Sequence, residues 1–279
     1  MVGWIHAGGD QPAAREGLLV SHRSVRIRLA AALAAVILAP LGLLSVSSTV
    51  ARATTSGPLI RVRAVGLRAA TASTNWSGYG LAGYFASVAG SWTVPAASPS
   101  VGPTYSSSWV GIDGLANRNL IQAGTESDYV NGYAQYDAWW EILPGAERVV
   151  AKLPVSAGDH LSASITHTTG KKWTIALVDA TSGRSFTYTR SYRGLGASAE
   201  WIEERPQIGH TLSVLAAYGS TTFSSLTANG ANPHLTSAGA ISMVGDVGNR
   251  LISVPSVPSV LGDAFSVAYG ASAPPPPAG

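Results

Sequence analysis

Short runs rich in Val, Ile, Thr, Trp and Tyr recur roughly every 8 to 15 residues past residue 74, each closed by a cluster of Gly, Ser, Asn or Pro. No stretch there sustains apolar residues at helical spacing for three turns. The runs Ser91–Val94, Ser107–Ile112, Ala134–Ile142, Leu161–His167, Trp173–Asp179, Ser185–Arg190, Ala199–Glu203 and Phe265–Tyr269 therefore predict strands. Asp179-Ala-Thr-Ser-Gly183, between two alternating runs, predicts a hairpin connection. An all-β chain of antiparallel strands, folded as a two-sheet β-sandwich, is the architecture this pattern favours.

Charge is scarce: 12% of the 279 residues are Asp, Glu, Lys or Arg, against about a quarter in an average soluble domain. The formal net charge of +3 averages unlike regions, since residues 1–53 hold five of the 18 bases and two of the 15 acids. From Thr54 onward bases and acids balance, so neither a nucleic-acid partner nor any other polyanion is implied.

The N-terminus reads as an export signal. Arg23, Arg26 and Arg28 lead into an apolar run from Leu29 to Val46, followed by Ala51-Arg52-Ala53. That order predicts a signal peptide with a long basic region over residues 1–53, cleaved after Ala53. The other reading is a retained anchor, because the run can nearly span a bilayer. Residues 54–73 carry Arg61, Arg63 and Arg68 and no acid, which fits a basic pro-segment or a linker. Residues 74–270 are long enough for one domain with a sizeable core. At 271–279 the chain ends in a Pro-rich tail of polyproline II character with nothing to bury. With no Cys, the exported domain is built without disulfides. A secreted, extracellular, monomeric protein with no membrane contact after signal cleavage is the resulting expectation.

Strand parity collects acids and tryptophans on one face. Side chains alternate across a strand, so residues of one parity share a side. Trp109, Gly111 and Asp113 point one way, opposite Val110 and Ile112. Asp137, Trp139 and Glu141 align together, Gln122 opposes Ile121 and Ala123, and Glu200, Ile202 and Glu204 oppose Trp201 and Glu203. Were these strands neighbours, one sheet face would present an amide, several carboxylates and large aromatics, a combination unusual on a plain solvated surface. A groove for an extended peptide or for a sugar stacked on Trp fits it.

Other chemistries lack their residues. His160, His167, His210 and His234 never take metal-ligand spacing, so no metal is expected. There is no Gly-x-Ser-x-Gly elbow, no phosphate-cradling Gly-rich loop and no basic cluster interleaved with aromatics. Carboxylates and one amide remain. From the residues alone they fit a peptidase, a carbohydrate-binding module, or a glycoside hydrolase using a pair such as Glu141 and Glu204.

Six segments resemble the glutamic peptidases, or eqolisins. They are Ser73-Thr-Asn-Trp-Ser-Gly78, Trp92-Thr-Val-Pro95, Ser108-Trp-Val-Gly-Ile-Asp-Gly114, Leu120-Ile-Gln-Ala-Gly124, Tyr136-Asp-Ala-Trp-Trp-Glu141 and Ser198-Ala-Glu-Trp-Ile-Glu-Glu204. They stand in the family's order across residues 74 to 206. The resemblance implies a sandwich of concanavalin-like or jelly-roll type with a concave groove over one sheet. It also implies a secreted acid endopeptidase acting on polypeptides without a cofactor, with Gln122 and Glu204 as the catalytic pair. Glu204 would activate water as general base and then act as acid, while Gln122 would stabilise the oxyanion. Asp113, Asp137 and Glu141 are assigned to orienting that pair, and Trp76, Trp109 and Trp139 to the groove wall. Arg205-Pro206 replaces an acid and an aromatic of the fungal pattern. A cation beside Glu204 is expected to lower its pKa.

Overall fold

Alternating apolar and polar side chains give each run two unlike faces, and pairing in antiparallel register lets one face of every strand join a common core. In chain order, β1 (Ala53–Thr54) and β2 (Thr71–Ser73) precede β3 (Trp76–Ala82), β4 (Ser87–Thr93), β5 (Ser107–Ile112) and β6 (Ile121–Val130). Then come β7 (Tyr133–Ile142), β8 (Arg148–Val149), β9 (His160–Thr169), β10 (Lys172–Asp179), β11 (Arg184–Ser191) and β12 (Ser198–Glu204). The chain finishes with β13 (Gln207–Ile208), β14 (Thr211–Leu212), β15 (Ser220–Ala228), β16 (Ala240–Val244), β17 (Leu251–Pro255) and β18 (Phe265–Tyr269).

The computed structural model describes residues 53–54, 71–115 and 117–278, all within one compact unit, Thr49–Gly279. Most of the predicted leader and of the basic segment 54–73 thus lies outside the described residues. Among those described, the helical content is one 3-10 turn, Ser237–Gly239, and no helix is long and apolar enough to cross a membrane.

Two layers face each other. One runs β11-β10-β9-β4-β15, the other β15-β18-β17-β16-β3-β12-β5-β6-β7-β8. The long strand β15 belongs to both: Ser220–Phe223 pair with β18, and Ser224, Thr227 and Ala228 pair with β4, with a register shift between Ser224 and Thr227. Ser225, at φ 52°, sits in that corner, so a backbone bend turns one continuous sheet into a sandwich. The predicted hairpin joins β10 to β11, where the Asp179 carboxylate accepts the Thr181 and Ser182 N–H groups. Between the layers, Val110, Ile112, Ile121 and Ala123 share a core with Leu161, Ile165, Ile175 and Leu177.

The opposite face of the second layer carries a separate apolar cluster of Trp76, Trp109, Leu120, Trp139, Ile202 and Ile241. Leu115 and Leu143, from the loops at one end, pack against it. The tail expected to bury nothing keeps Pro274 and Pro277 half-buried. Their three-residue spacing is that of polyproline II.

Candidate active site

Four strands bring the predicted residues onto one face. Glu204 on β12 pairs with Ser107 on β5, and Ser107 with Glu126 on β6, which in turn opposes Asp137 on β7. Two residues along, Ile202, Trp109, Gly124 and Trp139 form the next row; beyond it lie Glu200, Gly111, Gln122 and Glu141. Gln122 and Glu204 therefore share a face but occupy rows four residues apart, with Trp109 between the rows.

Trp109 fits there because its neighbours are glycines. A Cβ on Gly124 would lie 2.6 Å from the Trp109 Cβ, and one on Gly111 2.7 Å from its Cζ3. The indole thus runs along the strand floor, edge-on to Trp76 with ring centroids 5.0 Å apart.

Glu204 is fully buried, and both its oxygens accept an N–H. Trp109 Nε1 donates to Oε2 at 2.7 Å and Asn75 Nδ2 to Oε1 at 3.0 Å. Asn75 is itself fixed: Ser73 Oγ donates to its Oδ1 at 3.0 Å, and the Arg205 N–H donates to its carbonyl at 2.8 Å. Burial pushes the Glu204 carboxyl well above the usual Glu range; the Trp109 and Asn75 bonds oppose that, and the Glu141 charge adds to the rise. Glu141 also accepts from Gln122 Nε2 at 2.8 Å, so it stands within electrostatic reach of one proposed partner and in contact with the other.

Several expectations are corrected. Arg205 was expected to lower the Glu204 pKa, yet that pKa is raised and Arg205 is not among its causes. Consecutive residues point to opposite sides, and the Arg205 guanidinium is bound by Asp246 through two N–H bonds of 2.8 and 3.2 Å. Asp113 was assigned to orienting the pair directly. It instead accepts from Asn117, Tyr192, Gly196 and Ala197 and touches neither Gln122 nor Glu204 through those bonds. Trp76, Trp109 and Trp139 are no open groove wall but a floor, at most 2% exposed, with Trp139 Nε1 donating to Ser107 Oγ at 3.1 Å. Rings so enclosed offer no stacking platform for a sugar. Asp137 is half-buried in the Glu204 row and Glu141 is buried beside Gln122.

Two residues of the site went unassigned in the sequence. Asn75 lies in the Ser-Thr-Asn-Trp segment, where nothing local marks its side chain as a partner of residue 204. Glu126, four residues past Gln122 and buried in the Glu204 row, was within reach of the same parity argument. Among the described residues no group of three or more His, Cys, Asp or Glu is arranged to hold a metal ion.

The Trp109 contact makes a testable case. Trp109→Phe keeps most of the ring but removes a bond that favours the charged form of Glu204. The Glu204 carboxyl is therefore expected to lose its proton at a pH about one higher in the variant, the worth of one hydrogen bond to a charged group. Titration of the Glu204 carboxyl followed by NMR in both proteins checks this, and an unmoved titration would show that the Trp109 bond does not favour the charged form.

The Peptidase A4 family matches residues 74–264. The chain is 30% identical to aspergillopepsin-2 of Aspergillus niger over 228 residues, 71% of this chain and 78% of that protein. It is 30% identical to scytalidopepsin B of Scytalidium lignicola over 148 residues, 51% and 55% of the two. Among solved structures it is similar to the aspergilloglutamic peptidase of Aspergillus niger, at 28% identity and TM-score 0.52, covering 60% of this chain and 99% of that one. A scytalido-glutamic peptidase bound to a transition-state-analogue inhibitor shares the fold, at 24% identity and TM-score 0.59, covering 70% and 98%.

Proposed function

Since the chain belongs to the Peptidase A4 family of glutamic peptidases, and is thus a peptidase, we propose that it is a secreted endopeptidase working in acid through Glu204 and Gln122. One observation carries the assignment: Glu141 is hydrogen-bonded to the Gln122 amide and electrostatically coupled to Glu204, on one buried face.

The chemistry follows from the side chains. In the fraction of molecules in which Glu204 is ionised, its carboxylate takes a proton from water, and the water oxygen attacks the scissile carbonyl carbon. Glu141 accepts an N–H of Gln122, which holds the amide with its nitrogen toward the carboxylates, and in the transition state that amide donates to the developing oxyanion. A donor of that kind stabilises the transition state by about 3 to 4 kcal/mol. Glu204 then passes its proton to the leaving nitrogen as the C–N bond breaks, giving a carboxylic acid and an amine. Trp109 and Asn75 hold both Glu204 oxygens throughout, and the enclosed floor strengthens each of these interactions by excluding water.

Cleavage of a denatured protein between pH 2 and 7 tests the reading, with Gln122→Ala as the control. That variant is expected to lose about 10²- to 10³-fold in kcat with KM little changed. Full activity without the amide would defeat the pairing, and release of reducing sugar from a glycan would favour the two-carboxylate alternative. Residues 1–53 are read as a secretory leader and 54–73 as a removable segment. Sequencing the N-terminus of the protein recovered from culture medium checks both.

A further inference from the structure

Glu200, like Glu126 and Asp137, is a carboxyl on this face that the proposed mechanism leaves unused. It is fully buried on β12, and its cross-strand neighbours, Gly80 and Gly111, have no side chain to meet it. Neither of its carboxyl oxygens has a hydrogen-bond partner of good geometry among the described residues; the polar groups facing them are the Ser198 hydroxyl and the Leu115 N–H. The charge it does face is that of Asp113.

Asp113 closes two loops at once. It ends β5 in the left-handed region, at φ 69°. From the loop that follows, Asn117 Nδ2 donates to it at 2.8 Å. From the 192–197 segment come the Tyr192 hydroxyl at 2.6 Å and the Gly196 and Ala197 N–H groups at 3.0 and 2.8 Å. The first loop runs into β6, whose second residue is Gln122, and the second runs into β12, which ends at Glu204. The fit is close: a Cβ on Gly194 would lie 2.1 Å from Asp113 Oδ2.

We infer that Glu200 is a positioning residue that works in its protonated form: neutral beside Asp113, it leaves the Asp113 clamp holding the loops ahead of both proposed catalytic residues, and its ionisation opens that clamp and ends activity on the alkaline side. The inference rests on the Gln122/Glu204 reading for its consequence in activity, though not for the clamp itself. Two carboxylates buried side by side cannot both hold charge. Asp113 accepts four donors on its two oxygens, whereas Glu200 is faced by the Ser198 hydroxyl and the Leu115 N–H without a bond of good geometry, so the shared proton belongs on Glu200. Burial pushes the Glu200 carboxyl well above the ordinary range, with the Asp113 charge acting in the same direction. The other titratable group against them is the Tyr192 phenol, raised by burial and by its bond to Asp113. β3 and β5 present Gly80 and Gly111 in this row, and the loop after β5 presents Leu115 and Asn117, none of which titrates.

The test uses Glu200→Gln, which keeps the size and neutrality of the protonated acid, beside Glu200→Ala. Glu200→Gln should keep kcat/KM at the optimum within about threefold of wild type, with its alkaline limb at higher pH. Glu200→Ala, leaving a hole beside the clamp, should lose about 10²-fold. A second readout is independent of catalysis. Exchange protection of the Gly196 and Ala197 amides, corrected for the intrinsic pH dependence, should fall with rising pH in the wild type and persist in Glu200→Gln. If Gln122→Ala stays active while the exchange behaves as stated, the catalytic pairing fails and the clamp stands. A Glu200→Gln protein whose alkaline limb and exchange profile match the wild type overturns the inference, as does one as impaired as Glu200→Ala. Should Glu200→Ala not fold, the Gln variant still decides.

Discussion

Glu204→Gln is expected to lower kcat/KM about 10³-fold or more at every pH between 2 and 7 while leaving the folded state intact. One carboxyl takes the proton in the first step and returns it in the second, and either contribution alone is worth about 10²- to 10⁴-fold. An amide of the same shape can do neither. The stability effect has a definite sign. Burial raises the Glu204 pKa in the folded chain above its unfolded value, so the folded state holds a proton that the unfolded state releases. That contribution is intact below the unfolded pKa and is lost as pH rises toward the folded one. The Gln variant has no such loss. In acid it gives up one of the two N–H bonds, because its Oε1 can accept from Trp109 or Asn75 but its amide nitrogen cannot accept from the other, at about 1 kcal/mol. Its thermal midpoint should start slightly below wild type at pH 3 and gain on it as pH rises. Peptide cleavage and thermal melts on the same samples check both halves. Cleavage within tenfold of wild type would move the base to another acid of the face, Glu141 or Glu126.

The fold was legible where alternation was regular. The strands predicted at Ser107–Ile112 and Phe265–Tyr269 coincide with β5 and β18, and most of the others fall short of the observed strands by a few residues. The parity argument placed Glu200, Ile202 and Glu204 together and Glu203 apart, which the pairing of β12 with β3 and β5 reproduces. β3 was visible only as a motif, because Gly78 and Gly80 interrupt its apolar pattern. The corner in β15 was not legible at all. It depends on one residue at φ 52° and a register shift, and Ser225 carries no preference for that backbone. The site divides in the same way. Which residues share its face follows from a period of two, whereas closure of that face depends on where Leu115 and Leu143 pack. Arg205 shows the cost of arguing from covalent adjacency: its neighbour in sequence is Glu204, but its partner is Asp246, forty-one residues on.

Glu203 carries the other large prediction. It points from β12 to the side opposite Glu204, fully buried, beside Ser77 on β3 and Ser108 on β5; Ser108 Oγ donates to its Oε2 at 2.6 Å. The Thr221 hydroxyl faces it without a hydrogen bond of good geometry, and Tyr218, whose hydroxyl meets Ser253 Oγ at 2.7 Å, is a titratable group that feels its charge. Burial raises the Glu203 carboxyl from an ordinary value of 4.5 to about 7. The folded chain therefore keeps this proton between those values while the unfolded chain has released it. Stability falls with rising pH across that window and levels off above 7, by about 3 kcal/mol in all. Glu203→Gln keeps an acceptor for Ser108 and removes the titration. The two proteins should melt together below pH 4; at pH 8 the variant should melt about 10 °C higher, at the usual conversion for a domain of this size. A difference that stays flat from pH 3 to 8 would show that the wild type holds Glu203 ionised at no cost. With Glu200 and Glu204, this makes three buried acids within seven residues of one strand, all with raised pKa values. A strand so built binds protons on folding, and that ties the stability of the sandwich to the acid range in which its proposed chemistry runs.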